Sequence, residues 1–224
     1  MDLAVVTAVW GDYGRFLPEW ADSITSQTVA PSKVQIVDAG LDERSKALEA
    51  GRVLRAADLD VTVSRPVEVG GMGAAMNLAV SRVSTEWVIR LDADDTLLQH
   101  AIEDVQALAD DADVVAIGAI RNGKPLVFTQ TSAEFILSGR QGALAPAAFR
   151  RSFWQQRPFH ERNDWVESAF WVGLAHLGAR FVGTKRPGFV YRQWPGSHSH
   201  TISPAEKRAA RDQQLAACKE WTLT

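Results

Sequence analysis

Two hydrophobic patterns alternate along the first half of the chain. Leu3 to Val9 is a continuous apolar run of strand length, and Tyr13 to Ser26 carries Phe16, Leu17, Trp20 and Ile24 at helical spacing. Val34 to Val37 reads as a second strand ending at Asp38 and Gly40, Asp42 to Leu54 as a helix, and Val61 to Val63 as a third strand. Gly73 to Val83 is a helix with Met76, Val80 and Val83 on its apolar face; Trp87 to Leu91 is a fourth strand, and Leu98 to Leu108 a further helix. Strands separated by crossover helices predict an α/β fold, with a mostly parallel sheet covered on both faces and ligands at the carboxyl ends of its strands. Asp38 and Asp92 both stand at such ends.

The second half changes character. Val114 to Ile117 is a strand, and Asn122 Gly123 is a two-residue hairpin signal leading into Leu126 to Thr129. A loop-rich stretch follows. Trp165 to Leu177 is then an amphipathic helix ended by Gly178, Phe189 to Arg192 a late strand, and Pro204 to Lys219 a polar closing helix. No repeat, low-complexity tract or linker interrupts this order. A single domain over residues 1–224 is the economical description.

The fourth strand ends in the densest chemistry of the chain. After Trp87 Val88 Ile89 Arg90 Leu91 come Asp92, Asp94 and Asp95, three carboxylates within four residues. Oxygen-only ligands of this kind suit Mg²⁺ or Mn²⁺, and a cation held by one or two carboxylates keeps positions for substrate phosphates. The competing reading is an Asp-rich turn in which Asp95 or Thr96 caps a helix running from Leu97. Composition narrows the rest. A net charge of −3 gives no general grip on nucleic acid, and the one cysteine, Cys218, excludes an intrachain disulfide or multi-cysteine metal site and fits a reducing, cytoplasmic setting. No apolar run approaches the length of a membrane span, and the chain opens almost at once on a strand, so neither an integral anchor nor a signal peptide is expected.

Four segments together resemble a known family. Thr7 Ala8 Val9 with Tyr13 and Phe16 Leu17, then Ser23 Ile24 and Gln27 Thr28, then Val34 to Gly40, look like the opening of a family 2 glycosyltransferase of the GT-A fold. Gly71 to Asn77, and Trp87 Val88 Ile89 with Leu91 Asp92 Ala93 Asp94 Asp95, resemble its glycine-to-asparagine segment and acidic metal motif. Phe170 to Leu174 is similar to the apolar helix behind its catalytic base, and Tyr191 Arg192 with Ser197 His198 Ser199 resemble its closing motif. Order and spacing across separate segments carry more weight than any one of them.

The resemblance implies a Rossmann-like GT-A fold, with residues 1–98 as the nucleotide-sugar half and 99–224 as the acceptor half. It implies transfer from a nucleoside-diphosphate sugar, uridine-linked by family frequency, to an acceptor hydroxyl, with Mn²⁺ or Mg²⁺ and inversion at the anomeric carbon. Thr7, Val9 and Asp38 would form the floor for the base, although Asp38 is equally a turn residue before Gly40. Asp92 would face the ribose, Asp94 hold the cation, and Gly71 and Asn77 belong to the donor site. Glu167 falls where the family places its base, with Asp164 in a second alignment; the competing reading is two solvated acids at a helix N-terminus. Arg192 pairs a phosphate or forms a surface ion pair, and His198 and His200 approach the diphosphate or stay exposed.

Met76 departs from the pattern, standing where many members carry an arginine beside the asparagine. The chain also runs on only briefly after the closing motif, which favours a single addition to a soluble acceptor. Two other enzyme classes share some letters. Asp92 and Asp94 fit the nucleophile and general acid of haloacid-dehalogenase-type phosphatases, but that motif belongs on a first strand and here three strand-helix units precede it. Gly71 Met72 Gly73 with Asp92 about 20 residues on mimics a dinucleotide fingerprint, with Met76 at the third-glycine position. A non-catalytic carbohydrate binder is the third class. Trp20, Trp87 and Trp171 read as packing, whereas Trp10, Trp165 and Trp194 lie near the site ends, where an indole can stack on a sugar.

Overall fold

In the computed structural model the apolar runs of the first half become four parallel strands. The structure describes residues 1–66, 69–128, 131–140, 146–161 and 166–197, together with 201, 203–206, 208, 209, 212, 213 and 216. Strand β1 (Leu3–Gly11) lies between β2 (Lys33–Leu41) and β4 (Trp87–Arg90), and β3 (Val61–Ser64) flanks β2. Between them run a 3-10 turn (Asp12–Phe16), α1 (Leu17–Thr25), α2 (Ser45–Ala56) and α3 (Met72–Ser81). The register sets Val9 beside Asp38, so two strand ends that the sequence separates by nearly thirty residues meet at one edge of the sheet.

The second half extends the same sheet with mixed directions. Its elements are β5 (Thr96–Leu97), α4 (Ala101–Leu108), β6 (Val114–Arg121), β7 (Lys124–Leu126), α5 (Ala133–Leu137), β8 (Ala147–Arg150), α6 (Arg151–Gln156), α7 (Val166–His176) and β9 (Phe181–Tyr191). The nine-stranded sheet runs β3-β2-β1-β4-β8-β6-β9-β5, with β7 on β6. Strand β8 is antiparallel to both β4 and β6, which returns β6 and β9 to the direction of the first four. A mostly parallel sheet is therefore built, with β8 reversed at its centre and β5 and β7 reversed beside β9 and β6.

Hydrophobic burial organises the two faces. One cluster packs Trp20, Ile24, Leu54, Ile102 and Val105 of the helices against Val5, Ile36, Trp87 and Ile89. The other packs Met76, Val80, Phe170, Trp171 and Leu174 against Val6, Val37, Val88 and Phe149. Trp20, Trp87 and Trp171 are core, as their spacing suggests. Asn122 and Gly123 both take positive φ, 51° and 71°, which suits the two-residue turn joining β6 and β7.

Several elements differ from the periodicity reading. Leu97 does not start a helix: Thr96–Leu97 pairs with β9 as a strand, and α4 begins at Ala101 after His100, so the capping reading of Asp95 falls. Strand β8 sits in the stretch read as loop, because Ala147 Ala148 Phe149 is short and alanine-rich, with little β-propensity of its own. β9 starts eight residues earlier than Phe189. Its middle holds Lys185, Arg186, Pro187 and Gly188, which hide a strand whose pairing with β6 shifts register at Gly118. The last residue of the hairpin strand, Thr129, and Trp165 lie outside the described residues; described positions from 204 to 216 in the closing segment are helical.

Candidate active site

The loop after β4 is organised by its acids. Asp95 is 2% exposed; its amide donates to the Asp92 carbonyl at 3.1 Å, and its Oδ1 accepts from the Arg192 amide at 2.9 Å. Asp94 Oδ2 accepts from Trp194 Nε1 at 3.0 Å, and the Asp94 carbonyl accepts from Arg192 Nε at 2.8 Å. Three bonds thus fasten the chain leaving β9 onto this loop. Arg192 also reaches Glu19 through Nη2 and lies over the Phe16 ring at 4.8 Å, so its guanidinium is a clamp between the two halves.

Asp92 takes a different partner. Its Oδ1 accepts from Arg90 Nη2 at 2.6 Å, and Arg90 Nη1 donates to Glu167 Oε1 in the first turn of α7. One guanidinium, 1% exposed on β4, therefore spans from the acidic loop to the expected base. Burial favours loss of the Arg90 proton, but Asp92 and Glu167 more than offset it and hold the group charged, its pKa above the ordinary value.

The acids themselves are under-compensated. Burial pushes Asp92 up, with Arg90 pulling down and Glu167 and Asp94 adding to the rise. Burial also raises Asp94 against the Trp194 bond, and raises Asp95 well above its ordinary value with Asp92 and Asp94 as further causes. Desolvated carboxylates gathered this closely favour a cation beside them. Among the described residues no three His, Cys, Asp or Glu side chains converge into a closed chelate. The donor set is oxygen-only and open, which fits a hard divalent ion sharing its coordination with phosphate. Asp94 is the residue that would hold it.

Across β1, toward the end of β2, Asp38, 1% exposed, does the turn's work. Its Oδ1 accepts from the amides of Gly40 at 3.1 Å and Leu41 at 2.9 Å, while Oδ2 stands 3.5 Å from Arg65 Nη1. Thr7 and Val9 are core side chains at 0% and 1% exposure, so only the backbone of β1 can face a base there. Thr7 Oγ1 is buried without a hydrogen-bond partner among the described residues.

Asn77 spends its carboxamide inside the protein, while Gly71 is exposed at the entrance of α3. Asn77 Oδ1 accepts from Trp154 Nε1 at 3.0 Å and the Phe159 amide at 2.9 Å, and its Nδ2 donates to the Phe159 carbonyl at 2.8 Å. Gly71 enters α3 at φ 124°, a conformation suited to glycine, and a Cβ at Gly73 would stand 2.2 Å from the His160 carbonyl oxygen. These residues dock the backbone of 154–161, the segment that leads toward Glu167. Gly73 is buried by this close approach, so it is needed for packing against the 160–161 backbone. Met76, 0% exposed, is core. Asn77→Ala strands three polar groups, and we expect a loss of about 3 kcal/mol, read as a melting temperature lower by about 6–12 °C.

Asp164, Trp165, His198 and His200 lie outside the described residues. Trp194 joins Tyr13 at 5.3 Å and Phe16 at 5.4 Å between ring centroids, Trp10 joins Tyr13 at 5.5 Å, and the Arg15 guanidinium lies 4.3 Å from the Trp194 ring. The sequence reading missed Arg90, Arg65 and Trp154. Only Arg90 left a signal, as a lone charge inside the apolar run Val88 Ile89 Arg90 Leu91.

The mixed α/β sheet carries Asp38 and Asp92 toward the carboxyl ends of β2 and β4, one on each side of β1, and Arg90 joins Glu167 of α7 to the second. The model of glycosyl transferase family 2 matches residues 5–170, and the chain belongs to that family: it is a glycosyltransferase. No curated protein matches the sequence. Among solved structures, Staphylococcus aureus TarS 1–349 in complex with UDP-GlcNAc is similar at a TM-score of 0.76 and 19% identity, covering 96% of this chain and 71% of that one. Of TarS in its longer form the match covers 42%, at a TM-score of 0.71 and 20% identity. The mannosyltransferase PcManGT from Pyrobaculum calidifontis, in complex with GDP-Man and Mn²⁺, is similar at a TM-score of 0.67 and 20% identity, over 96% of this chain and 62% of that one. At these identities the likeness is one of fold.

Proposed function

We propose that this enzyme transfers a hexosyl group from a nucleoside-diphosphate sugar, uridine-linked in the first instance, to an acceptor hydroxyl, with a divalent cation and with inversion. The observation that carries the reading is the meeting of Asp92 and Glu167 on one buried guanidinium, which sets a base candidate opposite an acidic, cation-seeking loop. The solved neighbours lend support through their own ligands, UDP-GlcNAc and UDP in TarS, GDP-Man and Mn²⁺ in PcManGT.

A cation at Asp94 would neutralise charge developing on the departing diphosphate. Asp38 and the backbone at the end of β1 line the base, and Asp92 faces the ribose. Glu167 accepts the proton of the acceptor hydroxyl; the oxygen then bonds to the anomeric carbon as the bond to the diphosphate oxygen breaks and its electron pair leaves with the nucleotide. Attack from the face opposite the leaving group inverts the configuration. Arg192 acts here as the clamp of the loop it binds.

The phosphatase reading gives way to the family, and Asp92 is held by Arg90 as a paired carboxylate, an arrangement that does not favour a free nucleophile. No helix among the described residues is long and apolar enough to cross a membrane, and with its single cysteine we place the enzyme in the cytoplasm. The test is nucleotide release from UDP-GlcNAc and GDP-mannose with Mn²⁺, across a panel of hydroxyl acceptors. Release that stops on chelation and returns with Mn²⁺ is the expected result. Binding of nucleotide without release, for every donor and acceptor, would instead make the protein a carbohydrate-binding member of the fold.

A further inference from the structure

We propose that Arg90 is a positioning residue of the transfer reaction: one buried guanidinium holds the base Glu167 and the donor-side Asp92 in a fixed relation. This rests on the reading of Glu167 as base. The two carboxylates come from β4's exit and from α7, elements that the chain separates by 75 residues, and their side chains are 31% and 30% exposed. Each is gripped by Arg90 while part of its side chain stays open to solvent. Nη2 takes Asp92 at 2.6 Å and also approaches Met72 Sδ at 3.7 Å, and Nη1 takes Glu167.

Stability alone does not account for this residue. A buried cation costs several kcal/mol of lost hydration before its partners repay it, and apolar groups of like volume often do as well. Val88, Ile89 and Leu91 beside it are such groups. Arg90 moreover leaves its Nε buried without a hydrogen-bond partner among the described residues. What the guanidinium supplies is geometry. Its planar fork presents two donors at a set angle, and its charge keeps two like-charged carboxylates from pushing apart. A lysine ammonium, a point charge on a flexible stem, does not hold that angle. Arg90 itself exchanges no proton and forms no bond to substrate; it fixes where the proton acceptor stands relative to the donor.

The test compares R90M, R90K, E167Q and R90M/E167Q, with R90Q as a second neutral variant should R90M melt below the assay temperature. Two quantities are read: kcat and donor KM for release of UDP from UDP-GlcNAc or GDP from GDP-mannose, whichever the wild type turns over, and the calorimetric Kd of the same nucleoside diphosphate with Mn²⁺. We expect R90M to lose about a hundredfold or more in kcat, close to E167Q, with KM and Kd moving by less than about tenfold. The double variant should be no worse than E167Q by more than about threefold, because both changes remove one device, and R90K should recover little. R90M at near wild-type kcat beside an inactive E167Q overturns the proposal alone, as do losses that multiply in the double variant or fall wholly in KM. An active E167Q overturns the assignment of the base, and the proposal with it.

Discussion

Asp94→Asn lowers kcat for nucleotide release by about a thousandfold at saturating Mn²⁺, while the protein stays folded. A cation neutralising the leaving diphosphate contributes several kcal/mol in the transition state, and about 1.4 kcal/mol is a factor of ten in rate. The fold should be indifferent. The side-chain bond given for Asp94 comes from Trp194 Nε1, and an asparagine oxygen accepts it as well as a carboxylate does. The loop also keeps the Arg192 bonds to the Asp94 carbonyl and to Asp95. Circular dichroism melting within a few degrees of wild type, with turnover lost, is the expected pair of results. Near-normal turnover and metal dependence in D94N would remove Asp94 from the cation site.

Glu167→Gln is the second large effect. A positioned general base contributes about 10²–10⁴-fold, and glutamine keeps the size and a hydrogen-bonding oxygen for Arg90 while losing the ability to take a proton. The loss should fall in kcat with donor affinity retained, because the role proposed for Glu167 is on the acceptor hydroxyl. Steady-state kinetics of E167Q beside Asp164→Asn separates the two alignments of the base. An active E167Q with an inactive D164N would place the base one helical turn earlier.

The parallel half of the fold was legible because its signals are local. Apolar runs of strand length, crossover helices and acids at strand ends need no knowledge of partners, and Val34 to Asp38 or Trp87 to Asp92 state them openly. β8 was not legible, since Ala147 Ala148 Phe149 becomes a strand only through β4 and β6 on either side of it. The long β9 was masked by its own Lys185 to Gly188, tolerated because the ladder shifts register there.

The site divides in the same way. Asp92, Asp94 and Asp95 announce themselves by density, but the assignment of Asp95 as a possible helix cap failed because Thr96 and Leu97 pair with Val190 and Phe189. Asn77 was read toward the donor, yet its carboxamide is spent on Trp154 and Phe159, about eighty residues away in sequence. Arg90 shows the limit most clearly. A lone arginine in an apolar strand signals an unusual burial, whereas its two carboxylate partners are visible only when β4 and α7 come together.

The most direct test of the central claim is thermal unfolding of the wild-type enzyme and D94N with UDP and GDP, each with and without Mn²⁺. Ligand that binds the native state stabilises it by RT ln(1 + [L]/Kd), about 2.7 kcal/mol at one hundred times Kd. For a chain of this length that is a rise of roughly 5–10 °C. The account predicts this rise for wild type with nucleoside diphosphate and Mn²⁺ together, a much smaller one with nucleotide alone, and none beyond the nucleotide-alone value in D94N. No rise with either nucleotide in the presence of Mn²⁺, or an equal rise in D94N, would contradict it.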